Sequence, residues 1–347
     1  MHDIKLTTTC EPTETFAPAA VRPMTETSKS FALAFVAEPA GCPVCGGTSI
    51  EKWLTGRDRF ELRTQRYDLL HCTACEMVWL DSPPSPEEMG AHYTSHYYQV
   101  ITAGGEGSAP RWEGHARAVT RYRDRGSLLD LGCSAGAFLS AVQGRNFELY
   151  GVEISEPSAR QARNRTGAQV FVGDVLHAPF SPESFDVITS FDVLEHLYQP
   201  REIMAKVSEW LKPGGIFYVS IPNIRSWEAR LFQSYWYGLE LPRHLSHFSP
   251  ESLRHLGTSA GLQVEQMRTP PANYIEYSAH YVIDDLLNGM GISRAPLGPA
   301  SSASIPWKMV RKALNLTVLP LFAHAAASRG AGPIIEAVFR KDSAKTR

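Results

Sequence analysis

Between residues 127 and 223, short apolar runs alternate with segments whose apolar residues recur at helical spacing. The runs at 127–132, 148–155, 168–174, 185–190 and 216–223 are rich in Val, Ile, Leu and Phe, whereas 137–143, 157–165 and 200–211 carry the helical pattern. Val187-Ile188-Thr189 and Ile216-Phe217-Tyr218-Val219 are apolar nearly throughout, as parallel strands covered on both faces must be. The alternation predicts an α/β fold built on a doubly wound, mostly parallel, seven-stranded sheet, whose ligand lies outside the carboxyl ends of the strands. Beyond Asn223 comes a Trp- and Tyr-rich insertion, then a helix capped by Ser249-Pro250-Glu251 and a strand near 262–269. Residues 273–329 read as helical with a Gly/Pro break, and 333–341 as a last strand.

Outside that block the pattern changes. Residues 1–38, rich in Thr, Pro, Ala and Glu without periodicity, read as a disordered tail, because they bury too little apolar surface to offset chain entropy. A cysteine-bearing module at 39–82 ends at Ser82-Pro83-Pro84-Ser85-Pro86, where three prolines stop regular structure. Residues 83–110 read as a linker with a capped helix start at Ser85, 111–270 as the doubly wound core, and 271–347 as a helical cap plus the last core strand. The apolar stretch 313–327 is too short to span a membrane and reads as part of that cap, or as a face for a partner or a lipid-linked substrate.

Composition narrows the function classes. With 34 Lys+Arg against 36 Asp+Glu, the formal charge of -2 offers no global positive field, which disfavours nucleic acid and acidic membrane surfaces. No apolar run approaches the ~18 to 20 residues of a membrane span, and no signal-type apolar segment follows a basic start, so a cytoplasmic protein is expected.

Four of the six cysteines form two C-x-x-C pairs, Cys42/Cys45 and Cys72/Cys75, separated by 26 residues. Each pair puts two thiols on one tight turn, and two such turns make a tetrahedral zinc site of the ribbon type with a long hairpin between them. Four thiolates close the coordination sphere, so the expected role is structural; metal activation of a nucleophile and a redox dithiol are the alternatives. Cys10 and Cys133 have no partner at metal spacing and read as ordinary thiols.

A second cluster of chemistry sits in the core. Asp130-Leu131-Gly132-Cys133-Ser134-Ala135-Gly136 joins a strand to a helix, so bare backbone approaches a ligand between two elements. Glu153 ends the second strand, 23 residues after Asp130, where a carboxylate accepts both hydroxyls of a ribose, and Asp174 ends the third. The loop lacks the G-x-G-x-x-G that a pyrophosphate needs, which disfavours a dinucleotide.

These residues resemble the class I S-adenosylmethionine-dependent methyltransferases. The match runs from about 127 to 269 and rests on DLGCSAG, the Glu153 strand end, Gly173-Asp174, FDVLEHL at 191–197 and LKPGG at 211–215. The resemblance implies a Rossmann-like core in which Asp130 belongs to the loop motif and Gly132 and Gly136 pack against S-adenosylmethionine. It further implies that Glu153 holds the ribose, Asp174 meets the adenine amino group, and Phe191 and Asp192 line the methionyl part. Ser134 departs from the family, which often has glycine there. The stretch from CPVC through CTAC to the Tyr93, His96, Tyr97, Tyr98 cluster resembles, more loosely, the N-terminal module of bacterial methyltransferases acting on sugars and secondary metabolites. In sugar C-methyltransferases that module covers the acceptor, so those four residues either face substrate or pack the linker on the core.

Methyl transfer from a sulfonium requires alignment and exclusion of water, and a hydroxyl acceptor also requires a base. His196, four residues after Asp192, is one base candidate, with backbone bonding at a helix start as its competing role; His244 and His247 are the others. Their H-x-x-H spacing also suits a metal, although no carboxylate pair accompanies it. Trp227, Tyr235, Trp236 and Tyr237 suit a carbohydrate or planar acceptor, but equally a core or a homodimer interface. Arg111, Arg117, Arg121, Arg123 and Arg125 read as a solvated helix face with Glu113 and Asp124. The expectation is an enzyme methylating a small molecule, foremost a sugar or natural-product hydroxyl. C- or N-methylation of a nucleotide-sugar, RNA methylation and a non-catalytic cofactor-binding scaffold are the alternatives. Near-neutral charge and the absence of an N-P-P-Y-like segment after the fourth strand argue against RNA.

Overall fold

The computed structural model of the chain describes residues 41–97, 109–272, 274–290 and 318–343; the tail read at 1–38, Tyr98 and the start of the 313–327 stretch lie outside the described residues. Seven strands form the main sheet: β4 (Gly126–Leu131), β5 (Phe147–Glu153), β6 (Gln169–Val172), β7 (Phe185–Phe191), β8 (Leu211–Pro222), β10 (Leu262–Arg268) and β11 (Ile334–Lys341). Their order is β10-β11-β8-β7-β4-β5-β6. Neighbours from β8 to β6 run parallel, while β11 is antiparallel to both β8 and β10. The last strand of the chain is therefore inserted between two others rather than added at the edge. The strand order reverses between β4 and β7, the switch point where such sheets open a crevice for ligands.

Alternation along each strand feeds two cores. Leu129 and Leu131 of β4, Ile188 of β7 and Phe217 and Val219 of β8 pack with α5 (Pro200–Trp210) and α7 (Pro250–Ser259) on one face. Leu128, Val187, Ile216 and Tyr218 pack with α2 (Ala109–Thr120) and α3 (Ala137–Val142) on the other. Helix α5 shows why: Ile203, Met204, Val207 and Trp210 are buried on one stripe, and Pro200 at its start is an N-terminal residue that loses no helical hydrogen bond.

A second sheet has the order β1-β2-β3-β9, with β1 (Ile50–Arg57), β2 (Arg66–Cys72) and β3 (Val78–Leu80) from the cysteine module. Its fourth strand is β9 (Ser246–His247), which pairs through Val78 with His247 and through Trp79 with Ser246. The module read at 39–82 thus completes its sheet with residues that follow the core strand β8. Cys42, Val44, Cys72, Cys75 and Met77 share a hydrophobic cluster with Ile203 and Leu253 of the core. Helix α1 (Pro86–Met89) opens with a capping box between Ser85 and Glu88, as its sequence predicts. Helix α6 (Trp227–Phe232) follows β8, α8 (Ile275–Gly289) and α9 (Val318–Ser328) lie in the stretch read as a helical cap, and among the described residues no helix is long and apolar enough to cross a membrane.

Candidate active site

The loop after β4 is shaped by three residues in the left-handed region: Gly132 (φ +66°), Ser134 (φ +46°) and Gly136 (φ +76°). A Cβ on Gly132 would lie 2.5 Å from Val193 Cγ2, and one on Gly136 would lie 2.9 Å from Ala162 Cα, so both glycines are required by close approach as well as by φ. Ser134 pays for its unfavourable φ locally: its amide donates to Glu153 Oε2 at 2.9 Å, while Ser155 N–H donates to Oε1 at 2.8 Å. The carboxylate at the end of β5 is thereby aimed across the loop, and each oxygen keeps a second lone pair for a ligand hydroxyl. Ile154, directly after it, is 77% exposed, an apolar surface beside an acid that fits a planar base attached to a ribose.

The other residues read as cofactor contacts divide. Asp130 is buried and accepts from Thr189 Oγ1 at 2.7 Å; burial pushes its carboxyl up to about 7, and the group braces the loop from beneath instead of facing its mouth. Asp174 is exposed and caps the turn at Val175–His177 by accepting from Leu176 N–H at 2.7 Å. Phe191 ends β7 in an aromatic cluster, 4.5 Å from both Phe138 and His115 by ring centroids. Asp192 has φ +54° and is ion-paired with Arg111. Arg111 is therefore not part of a solvated face, unlike Arg117 and Arg125, which pair with Glu113 and Asp124.

Next to Asp192 lies a cavity of about 380 Å³ including its open mouth, lined by Tyr97, Asp192, Glu195, His196, Pro222, Tyr237, Gly238, Glu240, His244 and Tyr274. Four segments distant in sequence make it: the segment that follows the cysteine module, the turn after β7, the end of β8 with the insertion after it, and Tyr274 at the start of α8. The ring of His196 lies 4.6 Å from that of His244. His196 Nδ1 is 3.0 Å from the carbonyl oxygen of Arg243, which only accepts, so Nδ1 carries the proton and the lone pair is on Nε2. Burial lowers the affinity of His196 for a proton, leaving a neutral imidazole at neutral pH.

The other two candidates fare differently. His244 Nδ1 donates to the Gly238 carbonyl at 2.9 Å, and the ring still lines the cavity. His247 donates from Nε2 to the Leu239 carbonyl at 3.0 Å, is buried at 3% exposure, and is absent from the cavity wall. His247 is thus a core histidine, and burial depresses it to about 4. Because the unfolded chain binds its proton near pH 6.5, protonation favours unfolding below that pH. The penalty is absent above pH 6.5, grows as pH falls and levels off below 4, reaching about 3 kcal/mol. Urea midpoints measured from pH 7.5 to 4.5 should therefore fall with acid, and His247→Gln should flatten that slope; an unchanged slope would refute the assignment.

Of the aromatic insertion, Trp236 is core and the other three rings are half-buried. Trp236 is 2% exposed, Trp227 packs on Phe322 at 5.6 Å, and Arg59 stacks over Tyr235 at 3.6 Å; only Tyr237 reaches the cavity. Of the Tyr93-to-Tyr98 cluster, Tyr97 lines the cavity, Tyr93 Oη lies 3.1 Å from His196 Nδ1, and His96 Nδ1 lies 3.3 Å from Glu61 Oε1. Behind the wall is a fully buried cation, Arg243. It donates to both oxygens of Asp58 (3.1 and 3.2 Å), to the His92 carbonyl (3.1 Å) and to Glu240 (3.2 Å). This junction, with partners 185 residues apart, has no local signature in the sequence.

The four cysteines of the module also converge. Their sulfurs all lie within 4.8 Å of one another, with Cys42 to Cys75 at 3.5 Å and Cys45 to Cys72 at 3.6 Å. Val44 N–H donates to Cys42 Sγ and Gly47 N–H to Cys45 Sγ, at 3.4 and 3.3 Å. A tetrahedron with ~2.3 Å metal–sulfur bonds has edges of about 3.8 Å, so the donor set fits zinc.

Residues 109–267 match the family described as "Methyltransferase domain". With the sheet order and the loop geometry, that match decides the family of this segment. Residues 109–267 form a class I methyltransferase domain. The ubiquinone biosynthesis O-methyltransferase of Idiomarina loihiensis is 29% identical over 148 residues, covering 39% of this chain and 61% of that protein. Its counterpart from Azoarcus sp. is 30% identical over 151 residues, covering 40% and 64%. A probable S-adenosylmethionine-dependent methyltransferase of Mycolicibacterium smegmatis is 27% identical over 140 residues, covering 40% and 52%. The chain thus spans about three fifths of the length of the first two relatives and half of the third. Among solved structures, an S-adenosylmethionine-dependent methyltransferase from Archaeoglobus fulgidus matches with a TM-score of 0.47 at 17% identity, over 71% of this chain and all of that one. The methyltransferase domain therefore has its cofactor, S-adenosylmethionine, indicated by family, while the cysteine module and most of the cap lie outside the matched segment.

Proposed function

We propose that the protein transfers the methyl group of S-adenosylmethionine to a hydroxyl oxygen of a small molecule, with His196 as the base. The single observation that carries this reading is the neutral, Nδ1-protonated imidazole of His196 on the wall of a cavity beside Asp192. S-adenosylmethionine supplies an electrophilic methyl on sulfur. Glu153 would hold its ribose hydroxyls, Ile154 and Asp174 its base, and the Gly132–Gly136 loop with Phe191 and Asp192 its methionyl part. The acceptor hydroxyl would give its proton to His196 Nε2 as its oxygen takes the methyl, and His244 would steady the ring edge-on. The names of the relatives, O-methyltransferases, support oxygen as the acceptor atom.

The cavity also restricts the acceptor. Asp192, Glu195 and Glu240 line it, and among the described residues no lining residue is Lys or Arg, so a phosphate would meet three carboxylates and no cation there. An uncharged hydroxyl group, of a sugar or a phenol, fits this wall better than a nucleotide-sugar diphosphate. A panel of hydroxyl compounds incubated with methyl-labelled S-adenosylmethionine tests the reading: label should appear on oxygen, and labelling confined to nitrogen or carbon would contradict it.

The four cysteines are proposed to hold a structural zinc ion, a role supported by a closed donor set of which Cys42, Cys72 and Cys75 are buried against the core and Cys45 is half-buried. Metal binding to such a set is folding energy for the module. Cys72→Ser should lose close to one equivalent of zinc per chain by elemental analysis and melt at lower temperature than the wild type; unchanged metal content would refute the site.

A further inference from the structure

Residues 92–97 are fixed from both sides: the His92 carbonyl accepts from Arg243, and Thr94 Oγ1 donates to Glu61 at 2.6 Å while accepting from Tyr97 N–H at 3.1 Å. The ring of Tyr93 meets that of Tyr97 edge-on at 5.2 Å, and Arg243 lies 5.0 Å from the Tyr97 ring centroid. Tyr93 Oη is thereby set 3.1 Å from His196 Nδ1, an atom already 3.0 Å from the Arg243 carbonyl oxygen. Because that carbonyl only accepts, Nδ1 bears the hydrogen, and the phenol oxygen is a second acceptor of the same N–H.

We infer that Tyr93 is a positioning residue for His196: with the Arg243 carbonyl it grips the Nδ1–H, fixing the tautomer that aims the Nε2 lone pair into the cavity. The catalytic consequence rests on His196 being the base. When Nε2 takes a proton, the Nδ1–H becomes a charge-assisted donor and the Tyr93 oxygen binds it more strongly, so the hydroxyl favours the imidazolium over the neutral ring. Asp192, Glu195 and Glu240 act in the same sense, Arg243 and His244 in the opposite one, and none of these charges is altered by removing a hydroxyl. The residue comes from the segment behind the cysteine module, so the module side of the molecule contributes to the state of a base held on the core.

The test is Tyr93→Phe, which keeps the ring and deletes the oxygen. In nitrogen-detected NMR of the histidine rings, His196 should titrate at lower pH in the variant, with Nδ1 still protonated in the neutral form. Turnover at saturating acceptor should fall about tenfold, the cost of one hydrogen bond to a charged group, with unchanged S-adenosylhomocysteine affinity and an acid limb of the pH–rate profile moved to lower pH. An unmoved His196 titration would overturn the inference, as would slowed turnover with an unmoved acid limb, which marks a merely structural tyrosine. If His196→Asn turned over normally, the base assignment would fall while the NMR titration still decided what Tyr93 does to the ring.

Discussion

Replacing His196 with Asn should lower kcat by roughly 10² to 10⁴, the range a positioned general base contributes, while leaving S-adenosylhomocysteine affinity unchanged. Asparagine is the informative choice because its amide still donates to the Arg243 carbonyl and so holds the turn at Leu194–His196, removing only the Nε2 lone pair. His244→Asn should cost less, since the proposed proton transfer runs through His196 Nε2, whereas His244 donates from Nδ1 to the Gly238 carbonyl and has its Nε2 3.6 Å from Glu240. Initial rates over pH, with calorimetric binding of the product nucleoside beside them, separate the two effects. Equal loss of cofactor affinity and turnover would mean that His196 shapes the cofactor site and is not a base.

Arg243→Met should destabilise the protein by about 3–5 kcal/mol, the cost of leaving a buried carboxylate without its counter-charge. Asp58 has 0% exposure and depends on Arg243 at two oxygens, with the Phe60 and Glu61 amides donating to Oδ1 and His92 Nδ1 3.7 Å from Oδ2. The double variant with Asp58→Asn should recover part of the loss, because a neutral amide tolerates the apolar neighbour where a carboxylate does not. Urea denaturation of the two single variants and the double gives the coupling. Additive losses would show that the two side chains do not sense each other, contrary to their geometry.

These two residues also mark where sequence reasoning reaches and where it stops. The doubly wound sheet was legible because parallel strands buried on both faces must be apolar throughout, and Val187 to Thr189 and Ile216 to Val219 are. The glycine loop and Glu153 were legible because a strand-to-helix turn followed by an acid at the next strand end is a local, regularly spaced pattern. The convergence of the four cysteines was legible for the same reason, since the C-x-x-C spacing is local to each pair. What was not legible is assembled across the chain. The two-residue strand Ser246–His247 carries no strand signal of its own and exists because β3 offers it an unpaired edge. His247 carried the same signal as His196, a histidine near the right strand end, and only burial separates them. Arg111 looked like one of five basic residues on a helix until its pairing with Asp192 set it apart.

The pocket itself was the least legible feature, because each wall comes from a different part of the chain. Tyr97 follows the cysteine module, Glu240 and His244 follow β8, and Asp192 to His196 follow β7. No periodicity or spacing links them; they are brought together by the Arg243 junction, whose sign is a matched pair of buried charges visible only in three dimensions. The basic run and the aromatic insertion, by contrast, were visible in composition but largely resolved into ordinary packing and surface pairs.

The measurement that tests the account most directly is isothermal titration of the purified protein with S-adenosylhomocysteine, beside an NADH control. The geometry of Glu153, the Gly132–Gly136 loop and exposed Ile154 predicts saturable binding of the nucleoside at one site per chain and none of the dinucleotide. Absence of nucleoside binding by the folded, purified protein, or preference for NADH, would contradict the cofactor assignment and with it every catalytic role built around His196.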